Sequence, residues 1–257
     1  MPSFIYQHHY RIESEKVLGW REKPEKVVSG EAKIKDVCAN CNNIILSAYD
    51  SHAKDVLEGV NIFQKNYLAK EALLQYDYQL LSKWLLKVAY NSSRASDKQV
   101  GEFEKFKDYI VCKSDTCPDY FIACGILKPV KLSKEETENY GEAFGIEKPG
   151  YINPFFTRIS WIPNSPKEYT VKQIVIGALV FHVCIFIGEI ERQERKRIKK
   201  QYTELCKNMQ IISPNKKKLK ILQLPISFID SMSPHMMRDS VRPEMEKLLT
   251  KTSIGPK

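Results

Sequence analysis

The chain reads as an α+β protein, on three observations. Leu81, Trp84, Leu85 and Val88 fall at i, i+3, i+4 and i+7, the stripe of an amphipathic helix packed on a core. Residues 173–188 form a 16-residue run with no charged side chain, rich in β-branched and aromatic residues and carrying Gly177 inside, as buried strands do. Near the N-terminus, a strand-like segment, a polar loop, a Cys-x-x-Cys turn and a helix follow one another as one compact unit. Three segments are expected. Residues 1–60 hold the strand–loop–turn–helix unit, 61–106 are helical, and 107–257 form an α+β region with buried strands and a basic helix.

Taken in order, Phe4 to Ile12 has the β-branched and aromatic content of a strand around His8-His9. Residues 14–36 are polar and broken by Gly19, Pro24 and Gly30, so a loop with at most one short helix is expected there. Ser47-Ala-Tyr-Asp50 resembles a capping box opening a helix from Ala48 to Glu58. Asp77 is placed to cap the Trp84 helix, which Asn91–Arg94 is expected to close. Asp108–Cys112, Tyr120–Cys124 and Phe155–Trp161 look like short strands, and Leu132–Glu147 like an acidic surface helix or loop. Gln173–Gly188 fits a pair of buried strands or one long bent strand. A basic helix face from Glu191 to Lys200 and an apolar segment from Ile221 to Ile229 follow.

Composition limits the function. A hydrophobic share of 43% and a charged share of 28% are those of a globular protein with a real core. The uncharged run is shorter than the roughly 20 residues a bilayer-spanning helix needs, which argues against a membrane partner. Seven cysteines and no apolar leader in residues 1–15 point to reduced thiols and a cytoplasmic setting. The net charge of +9 favours an acidic partner, nucleic acid first. Between Glu191 and Lys220 stand 11 Lys or Arg against 3 Glu. Arg195, Lys196, Lys199 and Lys200 are the candidate phosphate contacts, with Lys216, Lys217 and Lys218 extending the stripe; a solvated helix face is the plainer reading.

His8-His9 and Cys38-Ala-Asn-Cys41-Asn42-Asn43 carry the chemistry. Two Cys at this spacing supply half of a tetrahedral zinc site. Cys112 and Cys117 are candidates to fold back and complete it; the alternative is that Cys38 and Cys41 pack as small apolar side chains. His182, in the apolar run, reads as a satisfied core residue, and Trp84 as core.

The stretch from His8 to Glu58, about a fifth of the chain, resembles the HNH endonuclease superfamily, the ββα-metal nucleases, in the variant with Cys-x-x-Cys-Asn. Asn42 follows the second Cys as that variant requires, Gly19-Trp20 lies in the loop, and Leu46–Asp50 is similar to the Leu-Ser-x-Leu-Glu that often comes next. The resemblance implies metal-dependent cleavage of DNA, with bacterial or phage defence a natural setting. His9 would be the general base, His8 a metal ligand and Asn42 a second ligand or positioner. Mg²⁺ or Mn²⁺ would be the catalytic ion and zinc the structural one. Gln7 stands where a metal-binding Asp is common. The competing reading is a non-catalytic zinc knuckle that binds nucleic acid or another protein.

Overall fold

The computed structural model describes residues 3–5, 7, 18–21, 26–29, 37–64, 67–115, 117, 119–141, 146–152, 157–162 and 166–231. His8 and His9 lie outside them. Ser3–Ile5 and Gln7 are helical, which corrects the strand expected over Phe4–Ile12 for the residues that are described. Ile5 is 1% exposed within the main core, so tertiary burial overrides local strand preference. The segment expected to be a loop holds a hairpin instead. β1 (Leu18–Arg21) pairs antiparallel with β2 (Lys26–Ser29), Leu18 opposite Ser29.

After the hairpin a π-helical turn, Cys41–Leu46, runs straight into α1 (Ser47–Gly59). The capping box is not formed, because the helix does not start at Ser47. The Ser47 hydroxyl donates back to the carbonyls of Asn43 and Ile44. β3 (Glu71–Gln75) follows, then α2 (Tyr78–Ser96). Asp77 caps α2 as expected, its Oδ1 accepting the Leu80 N–H at 3.0 Å. The helix outlasts Arg94 and stops where Asp97 turns to φ +59°.

The strand expected over Asp108–Cys112 is a helix. α3 (Val100–Glu104) and α4 (Lys107–Ile110) fill that region, and both Tyr109 and Ile110 are buried, which one strand face would not allow. β4 (Tyr120–Lys128) is longer than its predicted core. α5 (Lys134–Tyr140) opens with the capping box that residues 47–50 lack: Ser133 Oγ accepts the Glu136 N–H, and Glu136 Oε2 accepts the Ser133 N–H. β5 (Thr157–Trp161), β6 (Tyr169–Ile176), β7 (Leu179–Phe186), α6 (Arg192–Leu205), β8 (Gln210–Ile211) and β9 (Lys218–Ser227) complete the described chain.

Seven strands form one mixed sheet in the order β3-β9-β4-β7-β6-β5, with β8 beside β4. Among the described residues, only β4 and β9 pair in parallel. The uncharged run is a hairpin, β6–β7, turned at Gly177 with φ +55°. Every residue of both strands is buried, since helices cover the sheet on both sides. One core joins α1, α2 and one sheet face through Trp84, Leu85, Ile122, Ile174, Phe181 and Val183. The other joins α6 to the opposite face through Phe121, Val171, Val180, Ile198 and Tyr202. Double coverage explains why β6 and β7 read as continuous apolar runs rather than alternating ones. Among the described residues, no helix is long and apolar enough to cross a membrane.

Candidate functional site

Cys38 and Cys41 stand in a tight turn at the entrance to α1. The Cys41 N–H donates to Cys38 Sγ (3.3 Å) and the Asn42 N–H to the Cys38 carbonyl (2.9 Å). The N–H···S bond, and then the neighbouring thiol, hold the Cys38 pKa below the ordinary thiol value. Sharing the proton with Cys38 raises that of Cys41, while Lys113 favours the thiolate of both. Zinc binds thiolates, so a Cys pair at this spacing suits two of its four positions. Among the described residues, no three His, Cys, Asp or Glu side chains gather into a metal-holding group.

Cys112 and Cys117 therefore do not complete a four-sulfur site there, and each has other contacts. Cys112 Sγ lies 3.2 Å from Tyr49 Oη and accepts from Lys83 Nζ at 3.2 Å. Tyr49 Oη also donates to the Ile110 carbonyl, tying α1 to α4. Cys117 is half-buried, and burial pushes its thiol up to about 11 despite help from Tyr109 and Tyr120. Asn42 is exposed, its Nδ2 donating to Asn43 Oδ1 (3.1 Å). Val37 and Ile44, 40% and 64% exposed, flank the Cys turn.

The polar side chains further along α1 serve its packing. Asp50 Oδ1 accepts from Trp84 Nε1 (3.0 Å) and from Lys87 Nζ. Lys87 is 8% exposed, and burial lowers its pKa against the pull of Asp50. His52 Nε2 accepts the Asp77 N–H (2.9 Å), so this ring helps to fix the start of α2.

Across the sheet, His182 is a satisfied core residue, as its apolar surroundings in sequence suggest. Arg158 Nη2 donates to Gln173 Oε1 (2.6 Å), which leaves the Gln173 amide to donate to His182 Nε2 (3.1 Å). The proton then sits on Nδ1, which donates to Tyr202 Oη (2.6 Å). Burial, then Arg158, pushes the His182 pKa down to about 4. Unfolded, this His takes up a proton near pH 6.5; folded, it resists until about 4. The unfolded state thus binds more protons in that window, and stability is expected to fall as pH drops through it. Urea midpoints measured from pH 7 to 4.5 test this: the decline should be shallower in His182→Gln, and an identical decline would assign it to other groups.

α6 divides the four predicted phosphate contacts. Ile198 and Tyr202 are buried against the sheet, and Arg195 and Lys199 share their face. Arg195 pairs with Asp119, and Lys199 is half-buried with Nζ 5.7 Å from the Phe121 ring centre. Lys196 and Lys200 point to solvent with Arg192, four residues apart along one stripe. Lys200 makes a long contact with Glu204 (4.0 Å), worth little at such exposure. Lys216–Lys218 are not on this stripe. Lys218 faces Gln75, and the Lys217 carbonyl accepts the Tyr76 N–H. α6 and α1 lie on opposite faces of the sheet.

No family model matches the chain, and no curated protein or solved structure matches it either. The inward turn of Arg195 and Lys199 is open to sequence reading, since 195, 198, 199 and 202 follow the i, i+3, i+4, i+7 rule with Ile198 and Tyr202 as the apolar members. The Tyr49–Cys112–Lys83 cluster has no such signal, because three distant segments supply it.

Proposed function

We propose that the chain is an HNH-type, metal-dependent endonuclease or nuclease-like protein acting on DNA. The observation that carries the reading is local. A two-stranded hairpin, a Cys-x-x-Cys-Asn turn with an N–H···S bond, and a helix follow in the β–β–α order of that unit. His8 and His9 precede the hairpin in sequence rather than ending its first strand, which departs from the family pattern. In this reading Cys38 and Cys41 would supply two of the four ligands of a structural zinc, whose binding energy would contribute directly to folding. His8 and Asn42 would hold Mg²⁺ or Mn²⁺, which would supply Lewis-acid polarisation of the scissile phosphate. His9 takes the proton of the attacking water.

The test combines elemental analysis with a cleavage assay. Purified protein is expected to carry about one zinc per chain and to nick supercoiled plasmid in Mg²⁺ or Mn²⁺ but not in chelator. Binding without nicking would leave the second reading, a knuckle that grips nucleic acid and cuts nothing. An imidazole and an amide without a carboxylate hold a hard cation weakly, and that specific feature favours it.

The exposed α6 stripe is the proposed DNA-holding surface. Because it lies across the sheet from the Cys turn, holding and cutting should separate. Replacing Arg192, Lys196 and Lys200 by Gln is expected to lower the slope of log affinity against log salt by about 0.9 for each phosphate no longer neutralised. Cleavage at saturating DNA should be unchanged. An unaltered slope would make the stripe a solvated face.

A further inference from the structure

A cavity of about 560 Å³ opens at one end of the seven-stranded sheet, and no residue of the Cys turn or α6 lines it. Its position follows from the strands. β4 and β9 run parallel, but their pairing slips between Ile126 and Lys128. Pro225 of β9 has no N–H to continue the ladder. Gly125 leaves room for the Leu224 side chain of β9, since a Cβ at 125 would stand 2.6 Å from Leu224 Cδ2. β3 is antiparallel to β9, Glu71 opposite Leu222, so it starts at the same end. Lys70 before β3, Lys128 at the end of β4 and Lys131 just beyond it therefore converge from two distant parts of the chain.

Several other surface lysines are neutralised in ion pairs. Lys54, Lys105, Lys107 and Lys220 pair with Glu. Among the described residues, no ion pair is found for Lys70, Lys128 or Lys131. Among the described lining residues the carboxylate is Asp230, which accepts the Ser227 N–H (2.7 Å) and caps the turn that follows β9. That bond, with a smaller pull from Lys128, keeps its pKa below the ordinary Asp value. Among the described residues, three lysines and one engaged carboxylate thus line the cavity. Beside them Tyr151 keeps 39% of its surface exposed, with Lys131 Nζ 5.8 Å from the ring centre. Pro129, Val130 and Pro225 give the wall an apolar part. The volume is that of a small-ligand pocket, and the lining combines clustered cations with a flat aromatic face.

We propose that this cavity binds a nucleotide, its phosphate held among Lys70, Lys128 and Lys131 and its base against Tyr151. The assignment is independent of the nuclease reading. Calorimetric titration of the full chain with AMP, GMP, CMP and UMP tests it, with adenosine and inorganic phosphate as partial ligands. At least one of the four nucleotides is expected to saturate a single site and to bind more tightly than adenosine or phosphate. Lys70→Gln with Lys131→Gln should weaken it about tenfold or more, as removing charge-assisted hydrogen bonds does. Tyr151→Ala should weaken the nucleotide but not phosphate. Lys54→Gln, remote from the cavity, should change nothing, and circular dichroism checks that each variant is folded. Four nucleotides that fail to saturate any site would overturn the proposal. So would binding that survives the double lysine variant, or that falls equally in Lys54→Gln.

Discussion

Trp84→Ala is expected to lower the stability of the protein by about 3–5 kcal/mol, the range for losing a buried aromatic with incomplete collapse around the hole. Trp84 is 0% exposed, on the face of α2 that meets both α1 and the sheet. Its loss also removes the indole N–H from Asp50 Oδ1, leaving Lys87 as that carboxylate's remaining donor. Two effects add in one direction: a cavity in the main core and a weakened polar link between α1 and α2. Trp84→Phe separates them, because it keeps most of the ring and deletes the N–H. Its cost should be about 1–3 kcal/mol. Urea unfolding with an unchanged m-value is the measurement. A loss under about 1 kcal/mol for the alanine variant would mean that α1 docks without this side chain.

Periodicity is the most readable part of the fold. The Trp84 stripe, the Asp77 cap, the β6–β7 pair and the basic helix are all legible because each is a local pattern with one physical meaning. Legibility fails where distant residues decide. Residues 108–112 have the β-branched and aromatic look of a strand, yet Tyr109 and Ile110 both find burial against α2 and the sheet, so a helical turn wins. Asp50 has the spacing of a capping residue, but its partners, Trp84 and Lys87, are more than thirty residues away. The β1–β2 hairpin is hidden because Gly19, Pro24 and Gly30 break the strand signal over a short span. For the candidate site, the Cys38–Cys41 turn is legible from spacing alone. Where Cys112 and Cys117 go is not, since Tyr49 and Lys83 reach Cys112 from α1 and α2. The cavity at Lys70, Lys128 and Lys131 depends on a register slip between parallel strands, which no run of residues announces.

His9→Ala is expected to slow DNA cleavage by about 10²–10⁴-fold, the usual contribution of a positioned general base. The reason lies in the proposed division of labour. His9 moves the proton, whereas the Cys38–Cys41 turn and α1 hold the unit together and the α6 stripe holds DNA. Removing the imidazole should therefore leave both stability and affinity unchanged while the rate collapses. Raising the pH should recover part of the loss, because hydroxide then replaces the missing base. A structural His would behave differently: its loss would lower the melting temperature, and the rate would follow the folded fraction.

Metal-dependent cleavage through the N-terminal unit is the central claim. Its most direct test is a time course of supercoiled plasmid nicking by wild type and His9→Ala, in Mg²⁺ or Mn²⁺ and in chelator, at matched occupancy of DNA. Wild type is expected to nick only with metal, and the variant to bind equally but cut at least about a hundredfold more slowly. Plasmid left intact by wild type in both metals, or a variant that cuts at the wild-type rate, would contradict the claim.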